Sequence, residues 1–414
     1  MSPPAQPRQF ACYWRNLDQP WVRALRGVCR RVLGFDPAPS PERARDIAAM
    51  YYDADPLAEA FVEEVYLRRG MAQGRALLER ALAEGTAAMP DAPASLVRLF
   101  ADIEHDPSWV DHEQVALGAR TFRRYGPAMF RFAGTITLQA YLESSVAKPL
   151  ALTGAYGGDS ARHRFLETVA FWIAVSEPGG LAPGGAGRTA ALRVRIMHVF
   201  VRQRLLQHPE WDAEDYGVPI SQADAMLTLM GGSAVPGVAM RVLGYWPSEH
   251  EIEAMMHLWR YVGHLMGVRP RWYPGSLREA AELLFVAMVK ASHQAGEDGR
   301  MLCQSYARAF SPSGTGPWPR RLREAIEHGV HLGYTRLFLP PRSHRYNELP
   351  KAGPWVLAPL LPLPAVLAAE GLRRISPAFE AALDRHARRR SRRWLERQLG
   401  EREAEYQPVQ SFTR

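Results

Sequence analysis

The chain has 414 residues, two to three domains' worth by length alone, and 47% of them are hydrophobic against 23% charged. That apolar content excludes disorder as the main state, and three cysteines (Cys12, Cys29, Cys303) are too few and odd in number for a disulfide scaffold. The 51 Lys and Arg against 43 Asp and Glu leave +8, a thin excess over this length that does not argue for a nucleic-acid partner.

The N-terminus, MSPPAQPRQFACYW, has neither an apolar h-region nor a twin-arginine start. The expectation is a cytoplasmic protein, or a secreted one if the native N-terminus is longer. Helix signals then dominate in chain order. Ser40-Pro41 and Asp55-Pro56 each put a capping residue before a proline at the first helical position. Asp111 and Ser221 read as further N-caps, and a helix is expected after Asp159, with Phe165, Val169 and Trp172 at helical spacing. Another follows Gly187, carrying Leu192, Ile196, Val199 and Leu206. Ser248 with Glu251, and Ser276 with Glu279, have the spacing at which hydroxyl and carboxylate satisfy each other's free amides. Breaks fall at Gly154–Gly158, Glu177–Gly187, Gly231–Gly237 and Ser311–Pro319, and no alternating strand pattern is visible. The reading is an all-α protein: an N-terminal arm over 1–39, one large helical domain over 40–350, and a C-terminal piece over 351–414 packing on it. That piece holds an apolar run, Trp355–Ala369, interrupted by Pro359, Pro362 and Pro364. It reads as a buried, proline-broken segment, with a shallow membrane-surface patch as the alternative. The basic run Arg385–Arg393 reads as a solvated helix face followed by the acidic GEREAE.

HExxH, GxSxG, a P-loop and CxxC are all absent, so zinc-protease, α/β-hydrolase, nucleotide and zinc-ribbon readings have no motif to stand on. His257 and His264 are seven apart on one helix, about 10 Å along its axis, too far to share a metal ion; they read as core or pocket-lining histidines. His198 differs. Arg195 and Arg202 flank it on one helix face among Ile196, Met197, Val199, Phe200 and Val201. Buried guanidiniums need anionic partners, and their charge would keep the imidazole neutral, its metal-binding form. Haem would supply an iron and two propionates; protein Asp or Glu would serve the arginines equally well. A second face sets Arg164 beside Thr168, with Glu167 one residue off. It suits orienting an oxygen-containing ligand, or it is a local Arg164–Glu167 pair with a hydroxyl bonded back to its own helix.

Five motifs in order carry a resemblance: WVDHEQVALGARTFRRYG (109–126), RxxET at Arg164–Thr168, RVRIMHVFVR (193–202), YGVPISQADAMLTL (216–229) and LWRYVGHLMGV (258–268). Over roughly residues 100–345 the chain resembles the latex-clearing proteins (rubber oxygenases) and MpaB-type oxygenases. The resemblance implies a helical fold with a globin-like core and one non-covalent haem b. By match to the family motif, His198 is the proximal iron ligand, Arg195 and Arg202 are its flanking cofactor-binding arginines, and Arg164 and Thr168 are a distal-side pair. Glu167 stands where the rubber-cleaving branch can carry a lysine able to occupy the distal iron position, which leaves that position open or water-filled. That branch also uses a glutamate as base on the preceding segment. Here 146–153 reads VAKPLALT, with no acid, and Glu143 and Glu167 are the nearest candidates. The implied reaction is O2-dependent cleavage of an isoprenoid carbon–carbon double bond to aldehyde and ketone, the chain held in an apolar pocket of Met226, Leu229, Met230 and Leu258. The alternative is a non-catalytic haem or apolar-ligand binding protein of the same fold. The expected partners are O2 and an apolar alkene, with lipid-surface contact left open, no nucleic acid, and a monomeric state.

Overall fold

The computed structural model describes residues 6–154, 160–291 and 295–400, and among these every regular element is helical. The caps explain where helices begin. The side chains of Ser40, Asp55, Asp111, Ser221 and Ser248 each accept a bond from a backbone amide two or three residues on. Ser248 and Glu251 form the full reciprocal box. Ser276 forms half of one: it accepts from the Glu279 amide, while the Glu279 carboxylate turns to the Gly275 amide instead. Asp159, after which a helix is expected, lies outside the described residues.

Eight helices position the candidate site and the surfaces around it: α1 (His112–Arg124), α2 (Ser160–Ser176), α3 (Ala186–Leu206), α4 (Gln222–Gly232), α5 (Glu249–Leu265), α6 (Trp318–Phe338), α7 (Leu363–Ile375) and α8 (Pro377–Leu399). The closest helix pair is α1 on α5. A methyl carbon at Gly118 would sit 2.1 Å from the Ala254 carbonyl oxygen, so only glycine allows the two backbones this near. A main apolar core runs through α1, α2, α4, α5 and the first half of α3. A satellite core gathers Phe61, Val65, Leu78, Leu96 and Leu99 around Ile196, Val199 and Phe200 of α3. Helix α3 therefore lies on the seam between the two. The N-terminal arm is not loose, because Phe10, Tyr13 and Val22 belong to the main core.

The C-terminal piece departs from expectation in two places. The apolar run reads as buried from its composition, yet most of Gly353–Ile375 faces outward, Leu361 being 77% and Ile375 79% exposed. Pro359 is the buried exception near its start. The basic run is not wholly solvated either. Arg388 and Arg392 of α8 reach Glu177 at 2.5 and 3.0 Å, while Asp384 pairs with Arg123 at 2.8 Å and Trp394 is buried. These contacts fasten α8 across α1 and α2. Of the acidic stretch expected after it, all but Gly400 lies outside the described residues.

Candidate functional site

His198 sits midway along α3, between the two cores. Its ring makes no hydrogen bond, ion pair or aromatic contact with any described residue, and it keeps partial surface accessibility although Arg195, Ile196, Val199 and Arg202 around it are buried. Loss of hydration, more than the arginines, drives its pKa down to about 4; Arg202 pushes the same way and Asp55 opposes. The imidazole is thus neutral at physiological pH, as anticipated, but for a different first reason.

The flanking arginines are met from within the protein. Arg195, 1% exposed, forms a two-pronged pair with Asp55 at 2.7 and 2.9 Å and a third bond to Asp102 at 3.0 Å. Asp102 also accepts from Arg269 at 2.7 Å. Arg202 bonds Glu59 at 3.1 Å and the carbonyls of Pro219 and Ile220 at 2.9 and 2.7 Å. Ile220 has φ 55°, a left-handed conformation unusual for a β-branched residue, and Arg202 braces the backbone there. Three carboxylates thus answer three guanidiniums with no charge left over. The protein carboxylates weighed from sequence are the partners present, so propionates are not needed to neutralise Arg195 and Arg202. Gly267 completes the cluster. It has φ +79°, and a Cβ there would come within 2.0 Å of Asp55 Oδ2 and 2.6 Å of Arg195 Nε.

On α2, Arg164 Nη1 donates to Glu167 at 2.8 Å, His163 lies 3.4 Å from the same carboxylate, and the Thr168 hydroxyl donates to the Arg164 carbonyl at 3.0 Å. The local pairing weighed from sequence is therefore present, alongside further interactions of these residues. The short 177–185 connection makes α2 and α3 an antiparallel pair. Gly187 packs on Ala174 and Val175, a register that sets residues 164–168 at the level of 193–198. His163 and Leu166 also line a cleft of about 880 Å³ against α6 and α8, with Arg131, Arg162, Phe310 and Glu327 among its walls.

Other candidates resolve less favourably for chemistry. Glu143 is tied to Lys290 in a buried cluster with Tyr51 and Asp224, and burial pushes Asp224 up to about 6. Met226, Leu229, Met230 and Leu258 are fully packed core residues rather than the wall of an open pocket. His257 accepts from the Asp111 amide at 2.9 Å, and His264 packs beside Trp109. No group of three His, Cys, Asp or Glu among the described residues could hold a metal ion. Sequence reading missed Asp102, Glu59 and Arg269, and saw Asp55 only as a cap. Nothing local marks a pairing with a residue 140 positions away.

Comparison with known proteins places this geometry in context. Residues 119–369 match the family model described as ER-bound oxygenase mpaB/B'/Rubber oxygenase, catalytic domain. A rubber oxygenase from Streptomyces sp. (strain K30) is 25% identical over 229 residues, 54% of either protein, so the chain spans about half the length of this curated relative. The solved structure of latex clearing protein LCP in its closed state superposes with a TM-score of 0.61 at 21% identity, covering 83% of this chain and 91% of that one. At that identity the likeness speaks for the fold.

Proposed function

The chain belongs to the family of MpaB-type and rubber oxygenase catalytic domains, and on that premise we propose that it is a haem b-dependent dioxygenase cleaving a carbon–carbon double bond of an apolar, isoprenoid-type substrate with O2 to give an aldehyde and a ketone. The observation that carries the haem assignment is the state of His198. A deeply set imidazole, neutral and without a hydrogen-bond partner among the described residues, on a partly accessible spot of an apolar wall, has the donor chemistry that would suit haem iron. Bound haem would supply the oxygen chemistry; the protein sets ligation, access and polarity.

The chain's own residues divide that labour. His198 would hold the iron. Arg195 and Arg202, occupied by carboxylates and carbonyls, act as positioning residues that fix α3 against the 55–59, 102 and 219–220 segments. Arg164, Glu167 and Thr168, at the same level of the helical hairpin, supply the polar groups that orient an oxygen-bearing ligand, with Glu167 held between Arg164 and His163. The buried apolar side chains around α3 exclude water.

The test is an absorption spectrum of haem-loaded protein, oxidised and dithionite-reduced, beside His198→Ala. The wild type should show a Soret band that shifts on reduction, and the variant should lose most of its haem. A variant that keeps full haem and full oxygen uptake would overturn the assignment. One observation favours the second reading, a non-catalytic haem or apolar-ligand binder. Segment 146–153 carries no acid, its Lys148 pairs with Glu210 and Asp298, and both nearby glutamates are engaged. Oxygen consumption with squalene or a carotenoid separates the two: turnover supports the enzyme, whereas haem binding without uptake supports the carrier.

A further inference from the structure

The segment 353–375 has its polarity reversed. It contains three charged residues, Glu370, Arg373 and Arg374. Two of them point inward. Glu370 and Arg373, 3% and 8% exposed, close a four-membered ion cage with Arg124 and Glu251: Arg124 to Glu251 at 2.7 Å and to Glu370 at 3.0 Å, Arg373 to Glu251 at 2.9 Å and to Glu370 at 2.8 Å. The apolar residues point outward. Ala365, Ala368, Leu372 and Ile375 follow one another at three- and four-residue steps along the open face of α7, with Leu357, Leu361 and Leu367 exposed beside them.

The surface continues onto a second segment. Gly244 packs directly on Leu363 and Leu367, and Arg374 donates to the Trp246 carbonyl at 2.6 Å. Val238, Val242 and Trp246 are each about half exposed on that side. Cations stand beside it: Arg374, Arg241 by the Trp246 ring, and the exposed Lys351 two residues before the segment. In water this arrangement is costly twice over, burying ions and exposing leucines. It suits a surface whose surroundings are apolar beneath an anionic rim.

We propose that the face made by residues 353–375 with Val238, Val242 and Trp246 docks on an anionic lipid bilayer, its leucines entering the acyl boundary while Arg241, Arg374 and Lys351 meet lipid phosphates and Trp246 sits at headgroup depth. The segment lies along the membrane rather than through it. Helix α7 has 13 residues, about 20 Å of helix against about 30 Å of hydrocarbon. Prolines interrupt what precedes it, and the ion cage holds its inner face to the protein. A bilayer fits the charge pattern better than a second copy, which would bring the same cationic rim against itself.

The experiment uses the full chain and leaves oxygenase chemistry aside. Wild type, Leu361→Glu/Ile375→Glu and Arg241→Gln/Arg374→Gln are sedimented with vesicles of phosphatidylcholine alone or with 30% phosphatidylglycerol. Wild type should partition onto the anionic vesicles. The glutamate pair should weaken that at least tenfold, with an unchanged far-ultraviolet circular dichroism spectrum and thermal midpoint, because both side chains are solvent-facing. The glutamine pair should lose the preference for anionic vesicles and its salt dependence. No partitioning by wild type, or equal partitioning by the glutamate pair, would overturn the proposal. So would vesicle-free dimerisation that the glutamate pair abolishes, which would assign the face to a second copy.

Discussion

Two regions hold arginine–carboxylate pairs on different terms. Around α3, Arg195 is matched by Asp55 and Asp102, residues 140 and 93 positions away. On α2, Arg164 is matched by Glu167, three positions along. The first arrangement exists only in the folded chain and joins three segments. The second forms wherever the helix forms. Charge placement on α3 is therefore structural information, whereas on α2 the Arg164–Glu167 contact is local helix chemistry.

The largest effect that should separate the two comes from Asp55→Ala. It leaves the fully buried Arg195 guanidinium with only Asp102, which Arg269 shares, and should cost about 3–5 kcal/mol in denaturant unfolding. A loss below about 1 kcal/mol would place the α3 pairs on a par with surface ion pairs. Gly267→Ala tests the same cluster through the backbone, since its Cβ would strike the Asp55 carboxylate at positive φ; about 1–3 kcal/mol is expected, with haem affinity falling in parallel. Glu167→Gln should cost roughly 1 kcal/mol of stability or less and instead change oxygen uptake or the distal ligand spectrum. A stability loss as large as that of Asp55→Ala would erase the distinction.

A further effect is pH-dependent. Burial holds His264 and His331 down at about 4. In the unfolded chain they take up protons below about 6.5, so stability falls as pH drops from there towards 4 and levels off below it. Asp224 acts oppositely. Held up at about 6, it stays protonated in the folded protein above the usual carboxylate range, and its contribution is lost as pH rises towards 6. Unfolding curves at pH 4.5, 5.5 and 6.5 should show stability rising with pH across this window. Asp224→Asn should steepen that rise, and a flatter one would reverse the assignment.

The helical class was legible because capping residues act locally: Ser248 and Glu251 meet within one turn. His198 was legible as unusual for a similar reason, since its neighbours on one helix face are fixed by spacing. What covers those neighbours was not legible, because Asp55 and Asp102 come to Arg195 through tertiary packing. The run Trp355–Ala369 misled for a physical reason. Hydropathy ranks the preference of a side chain for leaving water but does not say whether the apolar medium is the protein's own core.

The place of α3 on the seam bears on how the protein can be dissected. The region matching the oxygenase family begins at residue 119, and a fragment cut there would retain the imidazole at 198. It would lack Phe61, Val65, Leu96 and Leu99, which wall one side of the helix, and also the carboxylates of residues 55, 59 and 102. Expressed alone, such a fragment would carry uncompensated guanidiniums and a stripped flank. Residues 55–102 are a working half of the histidine's seat.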